Sequence, residues 1–166
     1  MSTSLVSLAS LLNSFEPMTP QIRVAAVAVR ERQVLVVEHR KRGRRYWVLP
    51  GGRVEAGEAL VSALRRELGE ELGLVAEVGQ LLAVYETLAP DRHTVNLAFA
   101  VEVGGQQPRI DRDDPVLAGW QWMALARLHH VDFRPPIAPV LTDIIVGEDR
   151  RGPVRLLGDT WTTDRT

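Results

Sequence analysis

The sequence predicts a mixed α/β domain, its strand and helix signals in the order expected for an α/β/α sandwich around a central mixed β-sheet. Two observations carry that reading. From Ile22 onward, short apolar and β-branched runs bounded by polar turns alternate with stretches whose apolar residues recur every three and four positions. The chain has 166 residues with 45% hydrophobic content, enough to bury one sizeable core but not two. The expected organisation is an N-terminal extension or short helix over 1–21, the domain proper over 22–147 and a C-terminal tail over 148–166.

At the N-terminus, Leu5, Leu8, Leu12 and Phe15 form a helical stripe in a Ser-rich stretch. No basic residues precede it, and it is too short and interrupted to span a bilayer, so a docking or frayed helix is expected rather than a secretion signal. Met18, directly before Thr19-Pro20, is an alternative start for the domain. Ile22 to Val29 and Gln33 to Glu38 then read as a hairpin with a polar turn at Arg30 to Arg32. Tyr46 to Leu49 reads as a strand, Pro50-Gly51-Gly52 as a tight turn, and Arg53 to Gly57 as a loop entering a helix.

That helix is expected from Glu58 to about Leu72. Leu60, Val61, Leu64, Leu68 and Leu72 make its apolar stripe, and Gly73 is placed to stop it. Further strands are expected over Val78 to Thr87 and Thr94 to Val103, joined by a polar loop at Ala89 to His93. A late strand over Gly119 to Ala124 and a helix over Pro136 to Val146, capped by Gly147, complete the order.

Composition narrows the function classes. A formal net charge of −1 gives no global case for nucleic-acid or membrane binding, which leaves small molecules as the expected partners. With no cysteine, neither a disulfide framework nor a zinc–thiolate site can form. The expected location is cytoplasmic.

The central helix carries the chemistry. Glu67, Glu70 and Glu71 are three and four residues apart, so their carboxylates gather on one side of the helix and border the apolar stripe. Arg65 and Arg66 cannot neutralise all three in one place, so a cation among them relieves the repulsion. A hard divalent ion suits that role: Mg²⁺ prefers oxygen ligands and is commonly completed by substrate phosphates. The alternative for any one of these residues is a solvated face laced with weak ion pairs, and Glu58 alone could be an acidic residue favourable at a helix N-terminus.

Residues Gly52 to Leu74, GRVEAGEALVSALRRELGEELGL, satisfy every fixed position of G-x5-E-x7-R-E-U-x-E-E-x-G-U, where U is bulky and aliphatic. On that motif the chain resembles the Nudix hydrolases, MutT-like and ADP-ribose pyrophosphatase-like, across roughly residues 22 to 147. The resemblance implies hydrolysis of a nucleoside diphosphate linked to another moiety, with Mg²⁺ or Mn²⁺ as cofactor and homodimers common. It makes Glu70 and Glu71 the primary metal ligands and Glu67 a ligand or the general base. Arg66 orients the box glutamates, notably Glu58, while Gly51 offers its carbonyl as an extra ligand, with Gly52 and Gly73 supporting the loop-helix-loop.

Outside the motif, Arg45, Trp47 and Arg53 are the substrate-contact candidates. Arg40, Lys41, Arg42 and Arg44 extend the basic run near the expected entrance, with a solvated loop as the alternative. Trp47 could stack on a base or belong to the core. Asp111, Asp113, Asp114, Glu86 and Glu102 are candidates for a further carboxylate. His93 reads as a loop residue and His129-His130 as a helix-end pair.

Substrate cues conflict. Pro90, sixteen residues beyond Leu74, resembles the ADP-ribose enzymes, whereas GGRVE resembles the entry to the box of MutT-like triphosphate pyrophosphohydrolases. A Nudix-fold sensor that binds a nucleotide derivative without turnover is the alternative class, although such modules usually carry eroded boxes.

Overall fold

The structure, a computed structural model, describes residues 19–110, 115–147 and 152–160. The helical stripe from Leu5 to Phe15 and the carboxylates Asp111, Asp113 and Asp114 lie outside the described residues.

Strand β1 (Gln21–Arg30) turns into β2 (Gln33–Lys41) through Glu31 and Arg32, both at positive φ (47° and 61°). Two positive-φ residues match the right-handed twist of a tight hairpin, which confirms the expected turn. A second such turn, Arg42-Gly43, leads into β3 (Arg44–Val48). The first helix, α1 (Leu60–Leu72), follows the glycine loop. Next come β4 (Glu77–Ala89), β5 (Arg92–Glu102), β6 (Leu117–Ala124), the short α2 (Leu125–Leu128), α3 (Ala138–Val146) and β7 (Arg155–Asp159).

The strands form a mixed sheet in the order β3-β2-β1-β5-β4-β7, with β6 pairing β2 along its other edge. At its centre β1 and β5 run parallel, in a register that sets Arg23 beside Asn96 and Ala25 beside Ala98. Val24 to Ala28 are all buried, as expected of a strand covered on both faces. Helix α1 packs on one face: Leu64, Leu68 and Leu72 are fully buried against Val24, Ala26, Leu35, Val37 and Phe99. On the other face α2 and α3 bring Leu125, Leu128, Leu141 and Ile145 onto Ala25, Val27, Val36, Ala83 and Tyr85. The three layers are the predicted α/β/α sandwich around a mixed sheet. No helix among the described residues is long and apolar enough to cross a membrane.

Several boundaries move, each for a local reason. Helix α1 begins at Leu60, two residues later than expected, because Gly57 sits at φ 81° and Ala59 is still extended. Glu58 therefore precedes the helix. At its other end Gly73 adopts the left-handed conformation expected of it, donating its N–H to the Gly69 carbonyl. The loop expected from Ala89 to His93 shrinks to Pro90-Asp91, since β4 and β5 pair all the way to Ala89 and Arg92. Helix α3 starts at Ala138 rather than Pro136, and Gly147 donates to the Asp143 carbonyl. Within the segment expected as a tail, Arg155–Asp159 adds parallel strand β7 beside β4.

Tyr85 lies fully buried in the sheet, and burial pushes its phenol up to about 12 from an ordinary 10.0, with Arg23 opposing the shift. The folded pKa is raised, so the stability tied to the neutral phenol is present below pH ~10 and is lost as pH climbs toward ~12. Urea midpoints measured from pH 9 to 12 should fall by the equivalent of roughly 2–3 kcal/mol at the alkaline end. In Tyr85→Phe that part of the decline should vanish.

Candidate functional site

The box loop is laced to β1. Val24 donates to the Gly52 carbonyl, Ala26 to Pro50 and Val54 to Ile22, at 2.9 to 3.0 Å. This lacing drives Gly51 and Gly52 hard against their neighbours, and both positions exclude a side chain. A Cβ on Gly51, whose φ is 128°, would lie 2.3 Å from the Val24 carbonyl oxygen. One on Gly52 would lie 2.2 Å from the Glu67 carboxyl carbon. The absence of a side chain at 52 thus makes the berth for the Glu67 carboxylate, 15% exposed, on the facing turn of α1.

Arg66 organises the acids. Its Nε and Nη2 grip the two Glu58 oxygens at 3.0 and 2.9 Å, and its Nη1 donates to Glu67 Oε1 at 2.9 Å and to Glu70 Oε2 at 3.1 Å. The last donor reaches the Arg53 carbonyl at 3.1 Å. All five guanidinium donors are placed. The bidentate partnership holds the Glu58 carboxyl below the usual carboxylate range, and the hydrogen bonds that Arg66 donates to Glu58 and Glu67 push its guanidinium further above its own. Glu71 points to the loop instead, accepting the Gly51 N–H on Oε2 at 2.8 Å. Thus the structure gathers Gly51, Gly52, Glu58, Arg66, Glu67, Glu70 and Glu71 in one place, with Gly73 ending the helix that carries four of them.

A lysine supplies one compact charge where the guanidinium supplies a planar fork, so Arg66→Lys should release Glu58 and let the glutamates splay. The expected result is a loss of at least tenfold in kcat with little change in thermal midpoint. Turnover and melting measured on the same preparation check it.

The donors available to a cofactor are the carboxylates of Glu67, Glu70 and Glu71 and the carbonyl of Gly51, all hard oxygens that suit a divalent cation of the Mg²⁺ type. Arg66 spans Glu67 and Glu70, and among the described residues no three acidic or imidazole groups close into a finished cage. Glu70, with a side chain 61% exposed, is free to turn toward an incoming ion. The Gly51 carbonyl already accepts Arg23 Nη2 at 2.6 Å and keeps one lone pair.

Beside the box opens a pocket of about 280 Å³, whose lining includes Arg23, His39, Tyr46, Asn96, Arg134 and Thr160. Arg134 stacks over the Tyr46 ring, 4.6 Å from its centroid, and is held in place by Asp132 through Nε and Nη2 at 2.9 and 2.6 Å. Hydrogen bonding to Asp132 also raises its pKa. Asn96 is buried and donates to the Tyr85 carbonyl at 3.4 Å.

The three substrate-contact candidates stand elsewhere. Strand alternation sends Tyr46 and Val48 to the pocket and Trp47 to the opposite face, where it packs against the core. Arg45 is 59% exposed and reaches Glu38 at 3.5 Å, while Arg53 is exposed and contributes its carbonyl to Arg66. Of the further carboxylates, Glu86 lies 3.5 Å from His93 and Glu102 is exposed opposite Glu77. His129 meets Thr142 at 3.1 Å, beyond α2. Sequence reasoning missed Arg23 and Asn96, although a charged and an amide residue inside otherwise apolar strands are the signal that marks them.

Comparison with known proteins agrees with this geometry. The sequence profile of the NUDIX domain matches residues 19–144. A Mycobacterium tuberculosis protein named "Putative 8-oxo-dGTP diphosphatase 2" is 42% identical over 123 residues, covering 71% of this chain and 83% of that one. "Phosphatase NudJ" of Escherichia coli is 38% identical over 85 residues, covering 51% of this chain and 56% of its own. Among solved structures, the MutT NUDIX hydrolase from Burkholderia pseudomallei superposes with a TM-score of 0.59 at 30% identity, covering 65% of this chain and 85% of that one. The MutT protein from Methanosarcina mazei shares the fold, with a TM-score of 0.69 at 17% identity over 82% of this chain and 99% of its own. With the NUDIX domain matched over residues 19–144 and a relative 42% identical across most of both chains, the chain belongs to the Nudix hydrolase family and is one of its pyrophosphohydrolases.

Proposed function

We propose that the chain hydrolyses a nucleoside triphosphate, oxidised deoxynucleoside triphosphates included, at its phosphoanhydride chain with Mg²⁺, or Mn²⁺ in its place. The observation that carries this is the pocket beside the box. At about 280 Å³ it falls just below the ~300–1,000 Å³ usual for small-molecule sites, which suits one nucleoside better than the two halves of an ADP-ribose. The name of the Mycobacterium tuberculosis relative points the same way. Pro90 loses its weight as an ADP-ribose cue, because it occupies a two-residue hairpin turn where its fixed φ is useful in itself.

In this reading Glu70 and Glu71, with the Gly51 carbonyl, would hold the divalent ion. Bound there, it would neutralise phosphate charge and acidify water. Glu67 is set to take the proton from the attacking water on Oε2, since Oε1 is tied to Arg66. Arg66, anchored on Glu58, keeps that carboxylate aimed. The same reading has the protein acting on free nucleotides in the cytoplasm, as a monomer or a homodimer.

The test is a phosphatase-coupled release assay with Mg²⁺ or Mn²⁺ across nucleoside triphosphates, 8-oxo-dGTP, ADP-ribose, diadenosine polyphosphates and nucleotide sugars. Metal-dependent release from the triphosphates is expected. Release from ADP-ribose alone would replace the substrate class, and silence from folded protein across the panel would favour the sensor reading.

A further inference from the structure

Arg23 is the unused cation of this site. It sits half-buried at the start of β1, and its Nη2 donates to the carbonyls of Leu49 at 3.0 Å and Gly51 at 2.6 Å. Among the described residues its Nε and Nη1 donors have no hydrogen-bond partner, and no carboxylate pairs with it. The pocket lining offers none either: it contains Arg23, Arg92 and Arg134 and not one Asp or Glu. Arg134 is neutralised by Asp132, but Arg23 is not. With Nη2 committed to the two carbonyls, the Nε and Nη1 N–H groups remain to donate, each on its own, to the oxygens of an anion such as a phosphate, which would also supply the missing counter-charge.

Position adds a second argument. Gly51 accepts Arg23 on its carbonyl and donates its N–H to Glu71, so one residue joins the guanidinium to the box carboxylates. An anion on Arg23 is thereby set in register with the acids across a single residue. Resting on the reading of the pocket given above, we infer that Arg23 grips the phosphate attached directly to the pocket-bound nucleoside and so fixes which phosphoanhydride faces Glu67, Glu70 and Glu71. Triphosphates would then be cut at one bond, giving a single product pair rather than a mixture.

Binding in EDTA separates this inference from the catalytic proposal. Calorimetric titration of the whole protein with dGMP and with deoxyguanosine should show the monophosphate bound at least about tenfold more tightly. Arg23→Gln should erase that preference while leaving deoxyguanosine affinity unchanged, and Arg23→Lys should restore part of it. Should Arg23→Gln fail to fold, the lysine variant still decides, because an ammonium keeps the charge but not the donors that the carbonyl-anchored guanidinium holds in place, and so must weaken dGMP and spare deoxyguanosine. A variant that weakens both ligands equally, an intact preference, or no binding of either by the wild type would overturn the inference. Arg23-dependent binding of dGMP in a protein that turns over no triphosphate would sustain it while sinking the proposed reaction.

Discussion

Glu70→Gln and Glu71→Gln, made separately, are each expected to cut kcat by roughly 10²- to 10³-fold while the protein stays folded. The substitution is nearly isosteric and removes one negative charge from a cluster that repels itself, so folding should be unharmed or slightly improved. Glu70 is 61% exposed and shares Arg66 with two other acids, so the fold barely depends on it. Glu71 also accepts the Gly51 N–H, a bond that the glutamine oxygen can keep. What both lose is the anionic oxygen that a divalent cation requires. Single-turnover rates at saturating Mg²⁺, set beside urea midpoints, check the prediction: wild-type rates in both variants would mean that neither is a ligand, and a collapse in stability would mean that the acids are structural.

Gly51→Ala should do the reverse, destabilising the protein by on the order of 3 kcal/mol. At φ 128° an alanine is strained whatever the space, and the space is absent: the added carbon would lie 2.3 Å from the Val24 oxygen and 3.0 Å from the Ala25 Cα. Both obstacles are backbone of the central strand, which cannot yield without breaking its pairing with β5. At Gly52 the obstacle is instead the movable carboxylate of Glu67. Gly52→Ala should therefore lose activity with a much smaller shift in the urea midpoint. Equal midpoint shifts for the two variants would show that the glycines do not divide their roles in this way.

Much of the site was legible because it is local. Glu67, Glu70 and Glu71 lie on one helix whose period places them, and Arg66 reaches back along the first turns of that helix to Glu58 just before it, so spacing alone brings these groups together. The glycines were readable as places of close approach, though not what they approach. The hairpin between β1 and β2 and the buried stripe of α1 followed from alternation and helical periodicity. Helix ends were less legible: Glu58 continues the acidic and apolar pattern of α1 yet stays outside it, because the left-handed Gly57 and the pull of Arg66 outweigh its helix preference.

By itself the sequence determined the box, its carboxylates, the family and the strand-helix order, since each depends on residues close together in the chain. The tertiary structure decided the pocket and the identity of its walls. Tyr46 rather than Trp47 faces it because the pleat of β3 is fixed by pairing with β2, and Arg134 enters only because the segment after α2 returns to hydrogen-bond with Trp47. Arg23 faces the box only because the glycine loop is laced along β1 while β5 pairs on its other side. Such contacts join distant stretches of chain through backbone hydrogen bonds that any residue can make, so they leave little trace in composition or spacing.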